Sequence, residues 1–204
     1  MSRILWFVLL FLFIPQAIAE EVKDLDAFLA DVRARGYLNV PPEHGRFLQL
    51  MTELRGAKRV LEVGTSTGYS GLWIARGLRR TGGKLDTIEI DQGRAETARQ
   101  NFKKAGVDDI ITIHVEDAFK AIPKLEGEFD MIFLDAGNFK RFFDAAYPRL
   151  RPGGVLLTHN ALLLKGETQK LLDATKDNPQ VISSVIQIGS DGFAVWYKRP
   201  PETR

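Results

Sequence analysis

The 204-residue chain predicts an α/β fold with a largely parallel sheet, and three observations carry that reading. Val60, Leu61 and Val63 make a short apolar run that ends at Gly64 and leads through a glycine-punctuated turn into an apolar-periodic helix, the mark of a buried strand stopping at a ligand crevice. A second strand, read at residues 85 to 90, ends on acids at Glu89 and Asp91. An alternating stretch at 110–115 and apolar runs at 129–134 and 155–158 read as further buried strands between helical patterns, so right-handed crossovers into a parallel sheet are the expected topology.

The elements follow in order. Residues 1–19 are set apart from the fold. Arg3 precedes an apolar run from Ile4 to Ile14, and Ala17-Ile18-Ala19 is a small-residue cleavage pattern, so this stretch reads as an export signal or an N-terminal anchor. Export, to the periplasm or the medium, is the expected localisation, with membrane association through residues 4–19 if the signal stays attached. Residues 20–58 follow as N-terminal helices and a linker. Asp24 to Arg35 carries Leu25, Phe28, Leu29 and Val32 on one face; Tyr37 to Pro41 is a linker; Pro42 and Glu43 suit the first turn of a helix reaching about Leu54. The core is expected over 59–198. Its helices are read at Tyr69 to Leu78, at Arg94 to Ala105 with Gly106 as its cap, at Asn138 to Tyr147 and at Gly166 to Asp177. Arg151-Pro152-Gly153-Gly154 reads as a turn, and Gly189-Ser190-Asp191-Gly192 as the turn of a hairpin joining 181–188 to 193–198. Residues 199–204, with two prolines, read as a disordered tail.

Bulk properties exclude several classes. With 28 basic residues interspersed among 26 acids the net charge is +2, and no basic stripe suggests nucleic acid as a partner. The absence of cysteine excludes disulfides, thiolate metal sites and a cysteine nucleophile.

The glycine spacing narrows the ligand. Gly64, Gly68 and Gly71 give G-x-x-x-G-x-x-G, which is neither the dinucleotide pattern nor a phosphate loop with its lysine. Glu62 stands at the approach to the turn, where a negative charge repels pyrophosphate and attracts a sulfonium. Glu89, ending the second strand, is placed to accept ribose hydroxyls. Ribose and a positive charge together point to S-adenosylmethionine.

The stretch VLEVGTSTGYS, with IEID after it, closely resembles the class I S-adenosylmethionine-dependent methyltransferases, in particular the catechol and caffeoyl-CoA type O-methyltransferases. The resemblance continues through NVPPEHG, AGVDDIITIHVEDA, FDMIFLDA, LRPGGVLL and IGSDGFAVWYK. It implies a single Rossmann-like methyltransferase domain: a mostly parallel seven-stranded sheet with an antiparallel last strand and helices on both faces. It also implies S-adenosyl-L-methionine as cofactor. The cofactor contacts it implies are Val40 from a lid, then Gly64, Ser66, Gly68, Tyr69 and Ser70 around the glycine turn. Beyond Glu89 it adds Asp117 and Ala118 at the adenine edge, and Asp135. A homodimer would fit the same family.

Two departures bear on the chemistry. Where metal-dependent members carry Asp-Asn after the fifth core strand, this chain has His159-Asn160. Asp135 and Asn160 remain as the metal candidates, a poor set for Mg²⁺, which takes hard oxygen ligands. The family's D-A-D-K segment appears as Asp135-Ala136-Gly137-Asn138, with no lysine in line. Lys140 is the nearest substitute, and His159 the better base, since an imidazole can take a hydroxyl proton near neutral pH. The expected reaction is metal-free methyl transfer to the hydroxyl of a small, aromatic acceptor, with catalytic candidates His159, Asp135 and Lys140. Leu162, Leu163 and Leu164 leave a bulkier apolar acceptor open. The alternatives are an exported protein that binds S-adenosylmethionine without catalysis, and a nicotinamide oxidoreductase, against which the glycine spacing argues.

Overall fold

A computed structural model describes residues 16–35 and 38–202; the Ile4–Ile14 run of the expected signal, Tyr37 and the end of the tail lie outside the described residues. Helix α1 (Gln16–Ala34) begins upstream of the expected Asp24 and runs through Ala17-Ile18-Ala19. The residues from 16 to 24 contain alanine and glutamate but no glycine or proline, so nothing in them stops the helix early. No helix among the described residues is long and apolar enough to cross a membrane.

Helix α2 (Pro42–Leu54) starts on its proline as expected. The core then alternates β1 (Arg59–Val63), α3 (Tyr69–Thr81), β2 (Lys84–Glu89), α4 (Gln92–Lys104), β3 (Ile111–Val115), α5 (Ala118–Ala121), β4 (Phe129–Leu134), α6 (Phe139–Ala146), β5 (Leu150–Thr158) and α7 (Lys165–Thr175). It closes with β6 (Val181–Ile188) and β7 (Asp191–Lys198). The seven strands lie in the order β3-β2-β1-β4-β5-β7-β6. β1 to β5 pair in parallel, and β7 runs antiparallel to both its neighbours. The chain reverses direction of growth between β1 and β4, the topological switch point at which open α/β sheets bind ligands.

Strand alternation divides the core between the two faces of the sheet. Val60, Met131, Phe133, Leu157 and Phe193 face α1 to α4, where Leu72, Ala98 and Phe102 meet them. Leu61, Ile132, Leu134, Leu156 and Trp196 face α5 to α7. β4 is buried along its whole length, which is why it reads as an apolar run rather than an alternating one. Its single acid, Asp130, accepts from the Lys58 and Arg59 N–H groups at 2.6 and 2.7 Å and so pins the start of β1.

Two local expectations change. Arg151-Pro152-Gly153-Gly154 lies inside β5 as an excursion. Phe129 pairs with Leu150 and Met131 already with Val155, and Gly153 takes up the strain at φ 79°. The final hairpin is tighter than four residues, because Ile188 pairs with Asp191 and leaves only Gly189 and Ser190 in the loop. Gly189 at φ 64° supplies the left-handed residue that such a loop needs.

Candidate active site

A cavity of about 570 Å³ opens at the carboxyl ends of the strands around the switch point. Its floor is Gly64 and Ser66 after β1, Glu89 at the end of β2, and Asp117 and Ala118 after β3. Asp135 after β4 and His159 and Asn160 after β5 form the far wall, and Val40 with Asn39 and Leu38 overhangs from the segment before α2. Gly64, at φ 101°, is what lets β1 and β4 close together here. A Cβ on it would fall 2.6 Å from the Asp135 carbonyl oxygen.

The cofactor-side carboxylates are held by backbone. Glu89 accepts from the Ser66 N–H at 2.8 Å and from the Asp91 N–H at 3.0 Å, one bond to each oxygen, which fixes the carboxylate between two loops. Asp117 accepts from the Phe119 N–H at 2.8 Å and so caps α5 while it lines the cavity. Ser66 stands in left-handed backbone at φ 49°.

Glu62, Gly68, Tyr69 and Ser70 lie behind this wall rather than on it. Glu62 is fully buried; Ser70 Oγ donates to it at 2.5 Å and Thr87 Oγ1 at 2.6 Å. Burial pushes the carboxyl up to about 7 from 4.5, against the two hydroxyl bonds, with smaller contributions from the charges of Asp135 and Glu89. The expected direct meeting of Glu62 with a sulfonium therefore has no geometric basis in this arrangement: strand alternation turns the side chain towards α3 and β2. Gly68, at φ 87°, closes the turn against Phe102, whose ring a Cβ would meet at 2.6 Å.

Lys140 is corrected. It sits on the exposed side of α6 and pairs with Asp144 at 2.7 Å, the usual fate of residues one helical turn apart, and it is not part of the cavity wall. Leu162, Leu163 and Leu164 do not line the cavity either. The Asp191 carboxylate accepts from the Leu162 N–H at 2.8 Å, and Leu163 is left 73% exposed.

The residue that sequence reasoning passed over is His44. Its Nδ1 lies 2.8 Å from Nε2 of His159, its Nε2 lies 2.8 Å from the Ile188 carbonyl oxygen, and His159 Nδ1 lies 3.0 Å from Asp135 Oδ1. Both rings are buried, against Phe193. The signal was present in the spacing. His44, Leu48 and Thr52 fall at successive one-turn intervals on the buried face of α2. The same chain of contacts bears on Mg²⁺. The position that would supply a third hard oxygen is an imidazole with both nitrogens engaged, and Asp135 is already bonded to it, so the donors present do not fit the ion.

A nucleotide-type crevice beside the His159–Asp135 contact, on a parallel sheet whose seventh strand is reversed, places the chain among the ligand-binding α/β proteins. Comparison with known proteins gives the family. Residues 18–191 match the sequence profile described as O-methyltransferase, and the chain belongs to that family. It is 36% identical over 150 residues to a catechol O-methyltransferase of Niastella koreensis, covering 71% of this chain and 66% of that one, just under two thirds of the relative's length. It is 32% identical over 174 residues to a catechol O-methyltransferase of Mycobacterium tuberculosis, covering 76% and 79%. Among solved structures, the O-methyltransferase TomG of Streptomyces achromogenes in complex with SAM superimposes with a TM-score of 0.77 at 29% identity, over 87% of this chain and 90% of that one. An O-methyltransferase of Bacillus cereus in complex with SAH gives 0.74 at 27% identity, over 92% and 94%.

Proposed function

We propose that this chain transfers a methyl group from S-adenosylmethionine to the hydroxyl of a small aromatic acceptor, without a metal ion. The observation that carries the reading is one continuous cavity with two kinds of wall. On one side Gly64, Ser66, Glu89 and Asp117 offer close backbone and carboxylates to an adenosyl group; on the other, Asp135 and His159 form a hydrogen-bonded acid–base pair. When bound, the cofactor supplies an already activated methyl, so the protein has to align the acceptor oxygen and remove its proton. Glu89 and Asp117 orient the adenosyl part, and Val40 covers it. Both ring nitrogens of His159 are engaged, by His44 and by Asp135, so the acceptor proton reaches the His159–Asp135 pair through the Asp135 carboxylate, which lines the cavity. The oxygen–methyl bond forms as the sulfur–methyl bond breaks, its electron pair returning to sulfur.

The test is calorimetric titration of S-adenosylhomocysteine, followed by turnover with catechol as probe acceptor. Micromolar binding that Glu89→Ala abolishes, with turnover unchanged by EDTA, is expected. No binding to the folded protein would overturn the cofactor assignment, and loss of turnover in EDTA restored by Mg²⁺ would overturn the metal-free step. We also propose export directed by residues 1–19, on the strength of their sequence. N-terminal sequencing of the protein recovered outside the cytoplasm is expected to begin at Glu20.

A further inference from the structure

Helices α1, α2 and α3 enclose a second cavity of about 640 Å³, which shares no lining residue with the first and has no part in the methyl-transfer reading. Three arginines, Arg33, Arg46 and Arg76, line it together with a single acid, Asp26. Arg76 is neutralised, because its guanidinium forks onto the Asp26 carboxylate, with Nη2 3.3 Å from Oδ2. Arg33 donates to the carbonyl oxygens of Asn39 and Val40, which orient the group and leave its charge intact. Arg46 has no hydrogen bond or ion pair among the described residues. Its guanidinium lies 5.9 Å from the centre of the Trp73 ring, with that of Arg76 at 5.7 Å from the same ring. Three arginines against one acid leave two positive charges that no lining residue answers.

A solvated basic face would need nothing more, but this charge adjoins a buried hydroxyl without a partner. Tyr69 is 3% exposed and lines the cavity, and its hydroxyl has no hydrogen bond among the described residues. Buried hydroxyls in folded proteins are nearly always paired, so this one awaits a group from outside the chain. A phenol beside two unanswered guanidinium groups is a donor set for an oxyanion. From this geometry we infer that the cavity is a second binding site, for a phosphomonoester with a small apolar or aromatic body. A phosphomonoester carries about −1.5 to −2 charges at neutral pH and three acceptor oxygens, which answers both cations and the hydroxyl, whereas a monocarboxylate leaves one cation over. Trp73, Leu29 and Pro42 supply the apolar wall against which the body of the ligand packs.

Calorimetric titration of the full-length protein tests this with two probes, phenyl phosphate and dihexanoyl phosphatidic acid kept below its micelle concentration. Binding of either supports the site, and the tighter of the two tells a soluble phosphomonoester from a lipid headgroup. Arg46→Gln removes a guanidinium that no described residue bonds, so the fold is expected to stand while affinity falls on the order of 10-fold or more. Arg80→Gln, in the last turn of α3 and outside the cavity, is expected to change affinity by less than about twofold. The chain has three tryptophans, so the indole N–H signals are few enough to separate, and the one identified by Trp73→Phe is expected to shift when phenyl phosphate binds. Saturating S-adenosylhomocysteine is expected to leave phenyl phosphate bound. Absence of binding to the folded protein at millimolar concentrations overturns the inference, as does unchanged affinity in Arg46→Gln. Equal losses in Arg46→Gln and Arg80→Gln would mark diffuse attraction to a basic surface, and displacement by S-adenosylhomocysteine would place the anion in the first cavity; either result overturns it. If Trp73→Phe fails to fold, the two arginine variants decide the matter. Failure of S-adenosylhomocysteine to bind would count against the methyl-transfer reading, while the phenyl phosphate titrations still decide this site.

Discussion

Two carboxylates stand near the carboxyl ends of neighbouring strands, Glu62 inside β1 and Asp135 just past β4, and their surroundings differ. Glu62 is sealed behind the cavity wall, its oxygens engaged only by the hydroxyls of Ser70 and Thr87. Asp135 opens on the cavity and is bonded to an imidazole that a second imidazole holds from behind. A hydroxyl donor can stabilise a carboxylate but cannot carry charge, so the buried Glu62 is driven towards its neutral form. Asp135 has instead an imidazole at 3.0 Å, a partner whose nitrogens can either donate or accept. What separates the two acids is the chemistry of the partner and access to the cavity. Their distance along the sheet is small.

The largest expected effect lies on the reactive side. His159→Ala is expected to lower catechol turnover about 10²- to 10⁴-fold while S-adenosylhomocysteine binding stays within a few-fold. Steady-state kinetics with parallel calorimetry measure both, and a loss of less than tenfold would remove the imidazole from the chemistry. On the sealed side the effect is one of stability and pH. Because the folded Glu62 titrates at about 7 instead of 4.5, the native state holds its proton more tightly than the unfolded chain. The stabilisation is complete below pH 4.5 and is lost as pH rises through about 7, a difference of ~3 kcal/mol. Denaturant unfolding of the native protein and Glu62→Gln at pH 5 and pH 8 checks it: the native protein loses that much more than the variant over the interval, and parallel pH dependences would refute it. The smallest effect marks the edge of the site. Lys140→Ala removes an exposed one-turn ion pair and is expected to change stability by less than about 0.5 kcal/mol and turnover by less than twofold. A larger loss of activity would restore the lysine to the mechanism.

The element types of the core were legible because their signals are local. Apolar runs carrying one acid each specified β4 and β1, Pro42 and Gly106 marked helix ends, and the residues between Gly64 and Gly71 marked the turn at the crevice. The excursion inside β5 was read as a turn because Pro152-Gly153-Gly154 is turn chemistry, and only the pairing of Met131 with Val155 shows the strand continuing past it. Glu89 and Asp135 were placed at the cavity by a simple rule, that polar residues ending parallel strands face the ligand side, and Asp117 and His159 by the resemblance to the family. Glu62 lies within a strand, where the two-residue alternation decides its direction, and it points away from the cavity.

The sequence by itself thus determined the order of strands and helices, the crevice, and the replacement of an acid by His159, since each is written in a residue or in a short run. Only the tertiary structure decided that the ring of His44, 115 residues before His159, meets the ring of His159 on one side and the Ile188 carbonyl of the last hairpin on the other. Periodicity tells which face of α2 is buried. It does not tell what the buried face meets, because that depends on how α2 and the β6–β7 hairpin pack across the end of the sheet.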